Sequence, residues 1–491
     1  MMRILLAVSG ICCLAAVAFA QPKDVATLQD AVRKTIEENE PSVACILVSR
    51  SERYRDFGAA VSAQPGKLGT FDARNELMRF NIDPTRKELL RRLDLSNPDP
   101  LPESYGSGIV LDASGLVLTH LHVVRDASKV FVRLPNRKGS YADILAADGR
   151  SDLAILKLIN PPSDLKPVRL AEGTKIRKGD FVVGIANPFA AGFRDGGATA
   201  SYGIVGNLRR RAPIGPSEND RMKNIHQLGT LIQTDLRLSL GCSGGGVFNL
   251  DGELIALTTS IAAVVGGEAP GGFAIPMTPG VRRMIEVLKR GQEVEYGFLG
   301  VGVANVDVVD RDGAVVDQVS EGTPAKRAGL RENDVILAVN DEPVRDYDDL
   351  FLHIGTALAG SEVVLTVRSF GETKKVLVKL AKFSYPGTVI AANRPVPIHG
   401  LRVDFNSVVT AEVPIPEGVA IREVETGSVA ERKYKEMLER TRWIITHVNK
   451  KPVTTPGDFY REANAAKGPL ELRIVEVAKN PDSTARTMTL P

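Results

Sequence analysis

Three short stretches of this chain hold residue types that can move protons and attack a carbonyl carbon. Residues 241–246 read Gly-Cys-Ser-Gly-Gly-Gly. A serine hydroxyl becomes a nucleophile when a base is held within about 3 Å of it. Flanking glycines let backbone N–H groups converge where an oxyanion would form, and Gly241 and Ser243 are the candidates for that role. Taken alone, the stretch also describes a flexible loop with a solvated serine. Residues 119–124 read Thr-His-Leu-His-Val-Val and offer the base. Residues 150–156 read Arg-Ser-Asp-Leu-Ala-Ile-Leu, where Asp152 can orient an imidazole. A single histidine is more often structural, and an aspartate ahead of a strand is usually a turn former or cap. Together, in the order His, Asp, Ser, the three make a proton-transfer line for hydrolysis of an acyl bond.

The elements that must hold these residues are short strands. Ile109 to Leu111 and Leu116 to Leu118 flank the turn Asp112-Ala113-Ser114-Gly115 and predict a hairpin. Strands are also expected at Val43–Val48, Val130–Leu134, Ala154–Leu158, Phe181–Ile185, Leu231–Gln233, Gly246–Phe248 and Leu254–Leu257. Their spacing fits an antiparallel sandwich or a pair of barrels. The histidine stretch then ends a hairpin strand, Asp152 precedes a strand, and Ser243 sits in a glycine-rich turn between two strands. Helical spacing of apolar residues predicts helices at 24–40 and 277–290. A polar insertion of about 50–104 carries one more helix candidate, started by Asp83-Pro84, with Leu89, Leu90 and Leu93 on it.

The last third contains a duplication. Val335 to Val344 matches Ile444 to Val453, and the second copy lies 109 residues after the first, at 444 against 335. Each copy leads into a helix candidate, at Asp346–Ala359 and Pro456–Ala466, and then a strand. Residues 383–397, rich in proline, read as the linker.

The 491 residues suffice for roughly three domains at about 150 residues each. Hydrophobic residues make up 43% and the formal net charge is +3. A balance so near zero gives no reason to expect a nucleic-acid partner, and the basic run Arg209-Arg210-Arg211 reads as a solvated loop. Arg3, the apolar run Ile4–Val17 and the small-x-small Ala18-Phe19-Ala20 read as a signal peptide over residues 1–20, with Gln21 as the new N-terminus. An uncleaved anchor is the competing reading. On the first reading the mature chain is soluble and exported, with no stable membrane span. Cys12 and Cys13 leave with the signal. Cys45 and Cys242 remain, and spacing does not say whether they meet.

The sequence resembles the HtrA/DegP family of serine proteases with PDZ domains. The resemblance rests on Gly106 to Leu111, Thr119 to Val124, Ser151 to Lys157, and Ile232-Gln233-Thr234-Asp235 leading into Ser243-Gly244-Gly245. Val183 to Phe189 and Gly272 to Pro276 add to it. The family's Thr-x-x-His selects His122 over His120. The resemblance covers about 41–381 well and 398–491 weakly. It implies a mainly β chain: a chymotrypsin-like double β-barrel protease domain over 21–292, then a PDZ domain at 293–382 and a PDZ-like α+β domain at 398–491. His122 is then the general base, Asp152 its orienter and Ser243 the nucleophile, with no metal and no cofactor. A metal held by His120 and His122 lacks an apparent third ligand.

The chain departs from the family at the nucleophile, where Asn-Pro-Gly-Asn-Ser-Gly-Gly-Pro is usual and Ser239-Leu240-Gly241-Cys242-Ser243-Gly244-Gly245-Gly246 stands here. With no proline at 240 the Gly241 peptide loses one support, so an oxyanion hole disordered at rest is expected. No acidic residue lies at 236–242, which disfavours cleavage after Arg or Lys and points to an apolar pocket near Leu238. Gly297-Phe298-Leu299-Gly300 resembles the loop that receives a peptide C-terminal carboxylate. In the second copy Gly400-Leu401 replaces it loosely, leaving a packing module as an alternative to a peptide binder. The family further implies unfolded polypeptides as substrates, regulation by peptide capture, a periplasmic or secreted location and assembly as trimers. A binding or holdase protein with a weak or silent protease domain is the competing reading, and a non-catalytic matrix protein survives only if His122 and Ser243 are distant.

Overall fold

The computed structural model describes residues 23–51, 94–96, 102, 104–136, 138–173, 175–188, 196–211, 224–259, 272–304, 313–385, 387–409, 415–440, 442–477 and 485–491. The expected signal peptide and the helix expected within the insertion lie outside the described residues.

The helix expected over 24–40 is α1 (Lys23–Asn39), whose Val32 and Ile36 pack on the barrel core. A 3-10 turn containing Pro41 ends it. β1 (Val43–Ser49) follows, buried along its whole length. Next come β2 (Ser104–Val110), β3 (Leu116–His120), the single turn α2 (Leu121–Val124), β4 (Lys129–Arg133), β5 (Gly139–Asp148) and β6 (Leu153–Leu158). They run in the order β5-β4-β1-β2-β3-β6, and β5 also pairs β6, so the sheet closes into a barrel. Closure leaves no edge of the ring open.

The second barrel uses β8 (Phe181–Ala186), β9 (Thr199–Arg210), β10 (Leu231–Thr234), β11 (Gly246–Phe248), β12 (Glu253–Thr259) and β13 (Gly272–Pro276), closed by the β11–β12 pairing. The two-residue β7 (Arg169–Leu170) adds to β12 in parallel. The helix expected at 277–290 is α3 (Pro279–Lys289), capped by Thr278, whose hydroxyl accepts from the Val281 N–H. Val281, Met284, Ile285 and Leu288 join it to the apolar cluster between the barrels.

The C-terminal third is built twice. The first copy has β14 (Gly297–Phe298), β15 (Val301–Val303), β16 (Ala314–Val319), α4 (Pro324–Arg327), β17 (Val335–Val339), β18 (Glu342–Pro343), α5 (Tyr347–Thr356), β19 (Glu362–Ser369), β20 (Glu372–Lys379) and β21 (Ala381–Lys382). After β22 (Ile390–Ala391), the second has β23 (Leu401–Phe405), β24 (Val419–Val424), α6 (Val429–Arg440), β25 (Trp443–Val448), β26 (Lys451–Pro452), α7 (Pro456–Ala465), β27 (Leu470–Glu476) and β28 (Ala485–Leu490). The sheets run β15-β16-β17-β19-β20 and β23-β24-β25-β27-β28, each with a two-residue strand beside its third member. The detail repeats as well. Asn340 and Asn449 each turn with positive φ, and each side chain accepts from the backbone N–H of the next strand, at Val364 and Glu471.

Three expectations change. β5 and β9 were not foreseen, because Gly139–Asp148 and Thr199–Arg210 mix small and polar residues into their alternation. The basic run is not a solvated loop: Arg209 and Arg210 end β9, Arg209 pairs with Asp346 and Asp349, and Arg211 pairs with Asp348, so these charges bind the second barrel to α5. The segment 383–397 is no free spacer, since Ile390 and Ala391 pair with Ala147 and Ala146 of β5.

Candidate active site

His122 stands on α2, two residues past the end of β3. The break after His120 turns the ring out of the first barrel, and the side chain is 32% exposed. Asp152 sits in the β5–β6 turn with φ of 57°, a left-handed conformation that aspartate tolerates better than most residues. Its carboxylate meets His122 twice: Oδ1 accepts from the His122 backbone N–H at 2.9 Å and Oδ2 faces Nδ1 at 2.5 Å. Asp152 is 4% exposed. Burial by itself raises its pKa, but the bonds from His122 and the nearby imidazoles hold it below the usual carboxylate range. It therefore stays ionised, fixing His122 with Nδ1 protonated and Nε2 free to take a proton.

Ser243 lies on a turn laced to both barrels. Ser107 of β2 does most of this: its N–H donates to Ser243 O at 2.8 Å and its hydroxyl to Gly241 O at 2.9 Å. Thr119 in turn donates to Ser107 O at 2.8 Å. From β12, Thr258 donates its hydroxyl to Cys242 O, and its backbone exchanges bonds with Gly244 N (2.9 Å) and Gly245 O (2.8 Å). Gly241 and Gly244 have φ of 88° and 89°. A Cβ at Gly241 would lie 2.4 Å from the Tyr105 ring, and one at Gly244 would lie 2.0 Å from Ser107 O. Gly106 brings the two halves together, because a Cβ there would touch both Val123, next to His122, and Ser243 O.

His120 is wholly buried and stacks on His122 with ring centroids 5.1 Å apart. Its Nδ1 faces Asp152 O at 3.0 Å and its Nε2 faces Thr258 O at 2.9 Å, tying the aspartate turn to the strand that holds the serine turn. Burial pushes its pKa down to about 4, with Asp152 opposing and His122 adding to the fall. Asp152 also supplies the third group near the two histidines that the sequence did not offer: the three could reach one ion. In this arrangement both His120 nitrogens face carbonyls and His122 Nδ1 faces Asp152. His226, missed in the sequence, faces Ser151 O through Nε2 at 2.8 Å and so steadies the same turn. No signal beyond its apolar neighbours marked it. Ser107 and Thr119 lay inside quoted stretches, but their anchoring role needs the register of β2 and β3 to be seen.

Leu240, where proline was expected, is 78% exposed, and the Gly241 carbonyl is held by Ser107 instead. Leu238 is half-buried and packs against the interior of the second barrel, close to Gly272. Cys45 and Cys242 are both buried and form no disulfide. In the first C-terminal copy Gly297 and Phe298 pair with β21, while the carbonyls of Leu299 and Gly300 accept from Ala325 and Ser320. Gly300 has φ of 88°. No helix among the described residues is long and apolar enough to cross a membrane.

A trypsin-like peptidase domain model matches residues 106–257, and a PDZ domain model matches 297–380. The chain is 35% identical over 284 residues to a probable periplasmic serine protease do/HhoA-like of Haemophilus influenzae, covering 56% of this chain and 58% of that protein. It is 34% identical over 289 residues to the periplasmic pH-dependent serine endoprotease DegQ of Escherichia coli, covering 57% and 59%. These alignments therefore span about three fifths of either relative. A probable periplasmic serine endoprotease DegP-like of Ectopseudomonas mendocina is 32% identical over 445 residues, covering 87% of both chains.

Proposed function

Because the chain belongs to the family of DegP-like serine endoproteases, we propose that it hydrolyses peptide bonds with His122 as general base, Asp152 as its orienter and Ser243 as nucleophile. The observation that carries this reading is the two-point grip of Asp152 on His122, at 2.9 and 2.5 Å, beside a serine turn anchored by Ser107 and Thr258. In the mechanism, Nε2 of His122 takes the Ser243 hydroxyl proton as the oxygen attacks the carbonyl carbon. The N–H groups of Gly241 and Ser243 receive the oxyanion. The imidazolium then returns its proton to the leaving amine, and water releases the acyl group by the same steps. An apolar side chain of the substrate rests near Leu238. An organophosphonate that labels activated serine tests the assignment: wild type gains one adduct on Ser243, read by mass spectrometry, and loses casein cleavage in step. Ser243→Ala takes up no label and cuts nothing. Labelling at another residue sinks the assignment.

Unfolded exported proteins are the substrate class proposed, and the loop Gly297-Phe298-Leu299-Gly300 with β15 and α5 receives peptide C-termini at the first PDZ domain. The second copy, residues 398–491, is a PDZ-like domain. A trimer in the periplasm is the proposed working form. Its support is an exposed apolar patch on the second barrel, where Phe181 stacks on Tyr202 at 5.5 Å and Ile204 pairs across from Phe181.

A further inference from the structure

One end of the second barrel faces α5 of the first PDZ domain. A cavity of about 510 Å³ lies there, within the range of small-molecule sites. Its floor is the barrel interior, with Ile232 and Ile255, both almost wholly buried. One wall is the 3-10 turn Ile225–Leu228, through Ile225 and His226. The roof is α5, through Leu352 and Thr356. The rim is charged unevenly. Lys175, Arg209, Arg282 and Arg345 stand on it against only Glu342 and Asp349. Arg209 is paired with Asp346 at 3.1 Å and Asp349 at 3.0 Å, and Arg345 with Asp349 at 2.8 Å, which leaves Lys175 and Arg282 against Glu342. The positive excess sits above an apolar floor, which is the signature of a site for a molecule with one anionic head and a hydrocarbon body.

The wall of this cavity is bonded to the catalytic turn. Ile225 N donates to Arg150 O at 2.9 Å, and His226 Nε2 faces Ser151 O at 2.8 Å. Those are the two residues immediately before Asp152. A body packed against Ile225 and His226 touches the support of the triad carboxylate without touching the triad.

We propose that this cavity binds a single-chain amphiphilic monoanion, of the fatty-carboxylate class, and that its occupancy reaches Asp152 through Ile225 and His226. Binding stands apart from the protease reading. Only the effect on cleavage rests on it, and the two are read separately.

The test uses the full chain with sodium decanoate, below its micelle concentration, against decanol and decyltrimethylammonium, followed by calorimetry. Saturable one-to-one binding of decanoate is expected, at least tenfold tighter than either comparison compound. Lys175→Glu, on the exposed rim, removes that preference, and Leu352→Trp, which fills the roof, removes binding. Equal affinity for the three compounds, or decanoate binding untouched by both variants, overturns the site. Saturating decanoate is expected to change kcat on a peptide substrate by twofold or more with KM held, and not in Leu352→Trp. Binding with no change in kcat overturns the link to Asp152. Should neither wild type nor Leu352→Trp cleave any substrate while decanoate still binds, the failure belongs to the protease reading and not to the site.

Discussion

At Gly244 the backbone leaves no room for a methyl group: φ is 89° and Ser107 O stands 2.0 Å from where Cβ would be. Gly244→Ala must shift the turn that carries Ser243, and backbone strain of this kind costs on the order of 1–3 kcal/mol. The expected result is a lower midpoint in urea together with loss of phosphonate labelling. Asp152→Asn keeps the shape but offers the wrong tautomer to His122, and kcat should fall by about 10⁴ with little change in KM. Acid acts on the same cluster. His120 has a folded pKa of about 4 against 6.5 when unfolded. The unfolded chain takes up a proton that the native state refuses, so stability is lost as pH falls from about 6.5 to about 4. Asp152, held low in the native state, acts in the same direction at lower pH. His120→Asn should flatten the slope of unfolding free energy against pH in that window, measured by urea titration at successive pH values. An unchanged slope means that His120 does not titrate there. The candidacy of His122, Asp152 and Ser243 was legible in the sequence, because the proposed triad needs particular residue types in a recognisable order. The lacing by Ser107, Thr119, Thr258 and His226 was not, because it depends on strand register, and register is set by pairs of residues far apart in the chain.

Most strands that are near-continuous buried apolar runs announced themselves, as β6 and β12 do. β5 and β9 did not, since each has small or polar residues where alternation calls for bulk; they persist because closing a barrel needs them. The basic run shows the same limit from another side. Local sequence records that Arg209 and Arg211 are cationic, and only the fold places them against Asp346, Asp348 and Asp349 at the start of α5. The arginines are exposed, but Asp348 and Asp349, two of the three acidic residues they hold, are buried, and a buried carboxylate stripped of its cation costs more than an exposed pair. Arg209→Ala with Arg211→Ala should therefore lower the melting temperature and speed amide exchange across Tyr347–Thr356. Exchange there at the wild-type rate counts against this clamp.

Across the molecule, the protease region and the two repeats meet at a buried charge cluster. Lys382 reaches Glu293 (2.8 Å), Glu295 (3.2 Å) and Asp404 (2.9 Å), and Arg422 pairs with Glu293 and Asp404. Burial raises the Glu295 pKa despite Lys382, so this carboxyl depends on its cation. Removing one partner of a buried network strands the rest, at a cost of about 3–5 kcal/mol. Lys382→Met should therefore lower stability by about that much, read by urea unfolding, and the loss should shrink in Lys382→Met with Asp404→Asn. The duplication was visible at an offset of 109 residues, but the way the copies dock was not, because it uses charges scattered over more than a hundred positions.

The pairing of Ile390 and Ala391 with β5 also fixes how the chain bears load. The path leaves the second barrel, builds the first repeat, returns to the first barrel for two residues and only then builds the second repeat. Tension applied at Pro491 thus arrives at β5 through that short ladder before any of it stretches the first repeat. A pull on the last domain acts directly on the strand whose end turns into Asp152.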